Sequence, residues 1–181
     1  MDAHGDSLRV RRCLEGDSGA YEELVVAYQG VLFHLALRMT GNREDARDLT
    51  QTVFLKAYRA LGSFDHQHRF YSWIYRIMMN EALNFLDRRK PQSELDERLP
   101  GHRPGPEDDA QQSNLQDAVQ ESLMTLPPAD RQVLVLRHFE DLSYHEIGEV
   151  LGIAEKTVKS RLFTARRRLG EALRRRGISE A

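Results

Sequence analysis

The sequence is poor in cysteine and contains no long hydrophobic run. Its 181 residues include one cysteine, Cys13, so neither an internal disulfide nor a cysteine-rich zinc site can form. No apolar stretch is long enough to cross a bilayer or to serve as a secretory signal. We therefore expect a soluble, cytoplasmic protein with no membrane insertion.

Signatures of catalytic and cofactor sites are also missing. The sequence has no glycine-rich phosphate loop, no nucleophile elbow and no pair of carboxylates at catalytic spacing. His66 and His68 lie close together, but the neighbouring residues do not complete a metal site. These absences argue against an enzyme, and we expect neither a metal nor an organic cofactor.

Strand signatures are absent as well, and the pattern predicts an all-α fold. Apolar residues recur at the three- and four-residue spacing of helices, whereas hairpin dipeptides are missing. In the first half, Gly30 is expected to separate the second helix from the third. The predicted helices are Ser7 to Glu15, Ser18 to Gln29, Val31 to Met39, Arg43 to Leu61 and Phe70 to Lys90.

The composition changes abruptly between Pro91 and Gln112. This stretch contains four of the six prolines, with six acidic residues against two basic ones, which is typical of a flexible linker. Helical periodicity resumes at Leu115, stops at Pro127 and Pro128, and then restarts. The sequence therefore predicts two small helical domains, residues 1–90 and 113–181, joined by an acidic, proline-rich linker at 91–112 and able to fold independently.

The stretch from Leu142 to Arg168 has the pattern of a helix-turn-helix. Ser143 and Glu146 have the spacing of a capping box, and Gly152 stands where a helix stop is expected. Nine lysines and arginines against two acidic residues occur from 155 to 176. A basic surface helix without DNA contacts is the simpler alternative. The combination of cap, turn and basic second helix favours a helix that enters the DNA major groove.

The predicted helix from Phe70 to Lys90 combines aromatic residues with polar ones. Trp73 and Tyr75 lie beside a polar row whose spacing suits a surface that stacks on and hydrogen-bonds exposed bases. The alternative, that the aromatic rings belong to the core, fits the sequence about as well. The polar row, at intervals of four, is Ser72, Arg76, Asn80, Asn84 and Arg88.

Four segments together resemble the extracytoplasmic-function (ECF) group of bacterial sigma factors, which direct RNA polymerase to promoters. They are DARDLTQTVFLKAYRAL (45–61), FYSWIYRIMMNEALNFLDRRK (70–90), LPPADRQVLVLRHFEDLSYHEIGEVLG (126–152) and KTVKSRLFTARRRL (156–169). The resemblance covers nearly the whole chain, in the family's order and spacing. It implies that the first domain binds the clamp helices of the largest subunit of the polymerase core and melts the −10 element. It implies that the second domain reads the −35 element, with the flap of the second-largest subunit as a further contact.

The resemblance also implies three sets of site residues and a further partner, an anti-sigma factor. For core polymerase binding these are Asp45, Asp48, Leu49, Gln51 and Phe54. For the unwound −10 strand they are His66, His68, Arg69, Trp73, Arg76, Asn80, Asn84 and Arg88. For the −35 element they are Lys156, Thr157, Lys159, Ser160, Arg161, Phe163, Thr164 and Arg167.

Some positions depart from the family pattern. Thr52 stands where an acidic residue is common, and Ala154 and Lys156 stand in the turn where proline and glycine are frequent. We expect one weaker polymerase contact at Thr52, a poorer helix cap at Ala154 and an added phosphate-binding charge at Lys156. The alternative function is a stand-alone helix-turn-helix regulator that binds an operator, which leaves the first ninety or so residues unexplained.

Overall fold

The computed structural model describes residues 3–89 and 110–178, and within these ranges the chain is helical, without strands. The all-α prediction is therefore confirmed. A short 3-10 turn, Leu61–Ser63, follows the third helix. The α-helices are α1 (Ala3–Leu14), α2 (Ser18–Thr40), α3 (Arg43–Ala60), α4 (Phe70–Arg88), α5 (Ala110–Met124), α6 (Pro128–His138), α7 (Tyr144–Leu151) and α8 (Glu155–Arg175).

The helix ends in the first half follow from local sequence. The Asp17 carboxylate caps α2, and the Asn42 side chain caps α3, each by accepting backbone N–H groups of the first turn. Gly41 ends α2 with φ of +71°, in the left-handed region that glycine adopts without strain. A side chain there would also collide with Met124 of α5, since an added Cβ would lie 2.7 Å from its sulfur.

Gly30 does not interrupt α2, and the predicted break there is wrong. The helix is continuous for 23 residues. Gly30 is exposed, and a Cβ on it would meet no atom within 4 Å. A glycine inside a helix costs only about 1 kcal/mol, which the burial of Tyr28 and Leu32 on either side of Gly30 readily offsets.

The first four helices enclose an aromatic-rich core. The rings of Tyr28 and Phe70 meet edge to face, with their centroids 5.3 Å apart. The Tyr28 hydroxyl donates to the Asp6 carboxylate at 2.5 Å and so ties α1 to α2. The Lys56 ammonium lies 2.6 Å from the carboxylate of Glu81, joining α3 to α4. These contacts fix α3 and α4, which carry the candidate binding faces.

Helix α6 is central to the second half. Seven successive residues, 130–136, are buried, and α8 packs across α6 while α7 packs against α8. The predicted linker at 91–112 lies outside the described residues except for 110–112, which already belong to α5. Buried residues of both halves form one continuous hydrophobic cluster. Independent folding of the two halves stays a prediction.

The side chain of Arg131 joins the two halves. It is 5% exposed, and its guanidinium donates to the carbonyl of Met39 near the end of α2. It also donates to the carbonyls of Met124 and Leu126, at 3.0 and 3.1 Å, where α5 ends. Desolvation lowers the pKa of Arg131 to about 10, so it remains charged at neutral pH. A cation at two helix C-termini is favoured by the carbonyl dipoles.

Replacing Arg131 by methionine should lower the free energy of unfolding by about 3 kcal/mol. Methionine keeps much of the apolar stem, but buried carbonyls lose a charged donor. Urea denaturation followed by circular dichroism measures the change. The control is Arg175→Met on the exposed end of α8, which should stay within about 0.5 kcal/mol of wild type. Equal small effects of the two substitutions would contradict the structural role of Arg131.

Candidate nucleic-acid interface

Helices α7 and α8 form the predicted helix-turn-helix. The Ser143 hydroxyl accepts the N–H of Glu146 at 3.2 Å, and the Glu146 carboxylate accepts the N–H of Ser143 at 2.8 Å. The capping box is therefore confirmed. Gly152 ends α7 with φ of +66°, as predicted. Leu142 and Ile147, which flank this cap, are both buried.

Gly148 sets the close approach of the two helices of the motif. A Cβ at this position would lie 2.8 Å from the carbonyl oxygen of Ile153, in the turn. The Ile153 N–H donates to the Gly148 carbonyl at 3.0 Å, which closes the end of α7. Sequence reasoning missed Gly148, although a glycine in the middle of a short helix was a usable signal.

The second helix, α8, has one packed face and one open face. Val158, Leu162 and Ala165 are at most 1% exposed, whereas Phe163 is 75% exposed. Among the polar residues predicted to contact the −35 element, Thr157, Arg161 and Thr164 are half-buried. The exposed ones are Lys156, Lys159, Ser160 and Arg167.

Lys159 is held in place at the start of α8. Its ammonium lies 2.7 Å from the carboxylate of Glu155, one turn earlier, and 5.7 Å from the centre of the Tyr144 ring. The hydrogen bond from Lys159 to Glu155 raises the pKa of the lysine. Lys159 therefore lies on the open face with its positive charge paired to Glu155. The turn also bears out the expected weak cap, because no side chain caps α8 at Ala154.

Three arginines that follow on α8 have different surroundings. Arg166 donates to the imidazole of His138 at 3.3 Å. Arg168 pairs with the buried carboxylate of Asp130 on α6. In the described part of the chain, Arg167 is exposed and forms neither a side-chain hydrogen bond nor an ion pair. Arg167 is thus the member of this trio best placed to reach a phosphate.

Sequence comparison identifies both halves. Residues 24–92 match Sigma-70 region 2, and residues 116–169 match Sigma-70, region 4. The chain is 33% identical over 178 residues to the ECF RNA polymerase sigma factor SigW of Bacillus subtilis, a match that covers 92% of this chain and 95% of the relative. The ECF RNA polymerase sigma-E factor of Escherichia coli is 36% identical over 173 residues, with 89% and 90% covered. The chain belongs to the ECF sigma factors.

Solved structures agree with this assignment. The structure of CnrH in complex with the cytosolic domain of CnrY superposes on this chain with a TM-score of 0.71 at 26% identity. The match covers 93% of this chain and 97% of that one. The sigma factor RpoE, in complex with the anti-sigma factor NepR from Bartonella quintana, has the same fold, with a TM-score of 0.71 at 22% identity over 85% and 96%. Because both regions match in order, the stand-alone regulator is excluded.

The face of this sigma factor predicted to bind polymerase is a stripe on α3. Asp48 and Gln51 are exposed on it. The stripe continues through two large side chains that sequence reasoning missed, Leu55 and Tyr58, which are 60% and 58% exposed. Leu55 follows Gln51 by four residues and Tyr58 follows it by seven, which places both on the same side of the helix as Gln51. Exposed apolar groups of this size beside polar ones are typical of a protein-binding surface.

The other three residues predicted for polymerase binding are less accessible. Leu49 is 5% exposed and packs in the core, so it supports α3 from beneath and offers no contact surface in this structure. Asp45 is partly buried and pairs with Arg89 at the end of α4. Phe54 is half-buried, and its carbonyl accepts the Tyr21 hydroxyl at 2.5 Å. Of the five residues in this set, Asp48 and Gln51 are therefore the exposed ones, and the polymerase-binding role of the set stays a prediction.

The face predicted to bind the −10 strand lies along α4 and the loop before it. The core interpretation is confirmed for Tyr75, which is fully buried, while Trp73 is half-buried against Phe64 and Phe70, with ring centroids 5.4 and 5.6 Å apart. Stacking of bases on Trp73 stays a prediction. The exposed members of this set are His66, His68, Arg69, Arg76, Asn80, Asn84 and Arg88.

Adding a cap to α8 and removing the cap of α7 should change the stability of the protein in opposite directions. Ala154 has the extended backbone of an N-cap residue, with φ −63° and ψ 144°, so Ala154→Ser should raise the free energy of unfolding by about 1 kcal/mol. Ser143→Ala removes an existing cap and should lower it by a similar amount. Thermal denaturation measures both, with Ser160→Ala on the open face of α8 as the control. Equal shifts for Ser143→Ala and Ser160→Ala would contradict the cap at Ser143.

Proposed function

We propose that this sigma factor places core RNA polymerase on promoters through three separate surfaces. The α3 stripe binds the polymerase, α4 and its preceding loop hold the unwound −10 strand, and α8 reads the −35 element. The observation that carries this proposal is the open face of α8, where Phe163 and Lys159 point away from a tightly packed apolar face. The protein acts in the cytoplasm and performs no chemical step of its own.

The open face of α8 suits the major groove. In a helix-turn-helix the N-terminal part of the second helix meets base edges, and Lys156, Lys159, Ser160 and Phe163 lie there. The Lys159 ammonium suits the acceptor atoms of guanine, and Phe163 suits a thymine methyl group. Arg167 follows one turn later and is placed for the phosphate backbone.

The α4 face suits an unpaired strand. Stacking of one base on an aromatic ring contributes about 1–3 kcal/mol, and Trp73 offers such a ring beside the exposed amides of Asn80 and Asn84. Arg76 and Arg88 supply positive charge along the same row. Capture of bases in this way opens the duplex without ATP, because binding energy offsets the loss of pairing.

We infer an anti-sigma partner as well. The sigma factor RpoE, whose fold this chain shares, was solved with the anti-sigma factor NepR. The exposed apolar residues Leu55 and Tyr58 on α3 are the kind of surface that an inhibitor competing with polymerase would cover. No helix in the described ranges is long and apolar enough to cross a membrane.

Transcription with purified components tests the proposed function. Core polymerase mixed with the protein should start transcription at a promoter with suitable −10 and −35 elements, whereas core polymerase alone should not. A template with both elements scrambled is the control. Binding of the protein to promoter duplex without any polymerase-dependent transcript would contradict the proposal.

Asp48→Ala and Gln51→Ala should each weaken association with core polymerase while the helix content stays unchanged. Both side chains are exposed on α3 and make no buried contact, so their loss removes surface chemistry without disturbing the fold. Surface plasmon resonance with immobilised core measures the affinity, and Glu22→Ala on α2 is the matched exposed control. Unchanged affinity for both variants would place the interface elsewhere.

Lys159→Ala and Arg167→Ala should change DNA binding in different ways, because the first removes a base contact and the second removes a phosphate contact. Loss of a base contact costs about 1–3 kcal/mol and relaxes preference at one position of the −35 element. Loss of a phosphate contact weakens binding to all sequences and reduces the salt slope by about one unit. Titration of a series of −35 duplexes at several salt concentrations separates the two effects. If Lys159→Ala alters only the salt slope and Arg167→Ala alters base preference, the assigned roles are reversed.

A further inference from the structure

Helix α8 carries a carboxylate at the end that is proposed to enter the DNA groove. Glu155 is the first residue of the helix and is exposed, whereas the second acidic residue of α8, Glu171, lies more than four turns later and is half-buried. A negative charge at this end is repelled by the phosphates of any DNA that α8 approaches. The position of Glu155 therefore requires a physical reason.

The helix dipole offers one reason. A carboxylate in the first turn of a helix is stabilised by the unpaired backbone N–H groups there, and no side chain caps α8 at Ala154. If this were the whole role of Glu155, the residue would affect the stability of α8 and leave base preference untouched. The dipole does not explain why the carboxylate is paired with a lysine of the open face.

Glu155 and Lys159 form an ion pair on that face. The Glu155 Oε1 lies 2.7 Å from the Lys159 Nζ, and the two side chains remain 46% and 57% exposed. The ammonium also lies 5.7 Å from the centre of the Tyr144 ring, which the guanidinium of Arg137 contacts at 5.6 Å. Tyr144 thus restricts the ammonium from the side of α7, while both charged groups stay accessible to DNA.

The two acidic residues of α7 are directed elsewhere. The Glu146 carboxylate accepts the Tyr71 hydroxyl of α4 at 2.5 Å, and the Arg69 guanidinium lies 3.3 Å from the same oxygen. Glu149 is half-buried and lies beside an imidazole of its own helix. Glu155 is therefore the acidic residue of the helix-turn-helix that shares a face with the residues proposed to read bases.

An exposed ion pair of this kind is easily exchanged for another partner. Surface pairs gain little net free energy in water, so Lys159 can leave Glu155 when a better acceptor is present. A DNA phosphate suits this exchange poorly, because it brings a second negative charge beside the Glu155 carboxylate. The hydrogen bond from Lys159 lowers the pKa of Glu155, so the carboxylate is ionised at neutral pH. Glu155 therefore weakens the attraction of Lys159 to phosphates, which every DNA sequence presents.

One kind of base pair satisfies both members of the ion pair. In the major groove a G·C pair presents the O6 and N7 acceptors of guanine beside the N4 amino donor of cytosine. The ammonium of a lysine suits the guanine acceptors, and a carboxylate accepts from the cytosine amino group. An A·T pair instead places the O4 acceptor and the methyl group of thymine where cytosine has its amino group.

We propose that Glu155 is a specificity-determining residue of the −35 contact: it accepts from the cytosine of the G·C pair that Lys159 reads, and it keeps Lys159 from phosphates at other sequences. This inference deepens the −35 role proposed above for α8 and rests on it. Glu155 should thus lower the affinity for DNA that lacks the −35 element and raise the preference for one G·C pair.

Glu155→Gln is the test variant, because glutamine keeps the size and helix propensity of the side chain but lacks the charge that neutralises Lys159. Glu121→Gln is the matched control. It changes the net charge equally, and it releases Arg176 from an ion pair at the far end of α8. Glu155→Gln made in the Lys159→Ala protein shows whether Glu155 acts through the lysine.

Holoenzyme assembled from core polymerase and each full-length variant is mixed with a promoter library whose −35 element is randomised. Sequencing of the bound DNA gives the base preference at each position. Glu155→Gln should reduce the preference for G·C at one position at least about fivefold and leave the other positions unchanged. Fluorescence anisotropy of the same holoenzymes on a duplex without the −35 element should show a salt slope steeper by about one unit.

Both changes should be absent in Glu121→Gln, and the change in slope should be absent when Glu155→Gln is made in the Lys159→Ala protein. Unchanged base preference in Glu155→Gln overturns the proposal, and a lower melting temperature alongside it would assign Glu155 to the helix dipole alone. Equal changes in Glu121→Gln, which would show a general effect of net charge, also overturn it. So does a change in slope that persists without Lys159.

The wild-type holoenzyme separates this failure from failure of the proposed function. If it enriches particular −35 sequences and starts transcription on them while Glu155→Gln behaves as wild type, the sigma function stands and the role of Glu155 is refuted. If the wild type neither enriches any −35 sequence nor starts transcription, the proposed function is refuted and the role of Glu155 with it.

Discussion

The buried guanidinium of Arg131 is the constraint on which the arrangement of this sigma factor depends. A charge removed from water is costly unless protein groups replace its hydration. Four N–H groups of Arg131 lie on its two terminal nitrogens, which meet carbonyls at the ends of α2 and α5 in different halves of the chain, while the buried Nε has no hydrogen-bond partner among the described residues. Those two helix ends must then meet at one point, and Gly41 leaves the space that Met124 needs there. With that point fixed, α6 lies against α2, and α7 lies against α4.

Opposite charges lie on different faces of the second half of the chain. The net charge of −2 gives no indication of this. Helix α8 presents Lys156, Lys159 and Arg167 to solvent, while α7 directs Glu146 toward Arg69. Within the helix-turn-helix, α8 thus directs positive charge to solvent and α7 directs negative charge to the first half of the chain. The distance between these two helices is set by the close packing at Gly148.

Features set by neighbouring residues were predictable from the sequence, and features set by distant ones were not. The capping box at Ser143, the stop at Gly152 and the apolar face through Val158 depend on spacing within one or two turns, which the sequence displays directly. The break expected at Gly30 was wrong because packing on both sides outweighs a small local cost. Leu49 belongs to the polymerase-binding set on family resemblance, whereas the helical spacing of the apolar residues around it predicts the burial that the structure shows. The bonds of Arg131 and Tyr71 join residues far apart in sequence, and no local pattern marks them.

The two roles of Glu146 have a consequence for how this chain can change over generations. One oxygen of its carboxylate secures the first turn of α7, and the other accepts the hydroxyl of Tyr71. A mutation of Glu146 to an apolar residue would therefore remove the cap of α7 and the contact with α4 in one step. Selection that preserves the cap of α7 then preserves this contact between the halves, whether or not the contact is itself advantageous. Glutamine at this position can keep the cap while it weakens the contact with Tyr71, so the two roles can be separated.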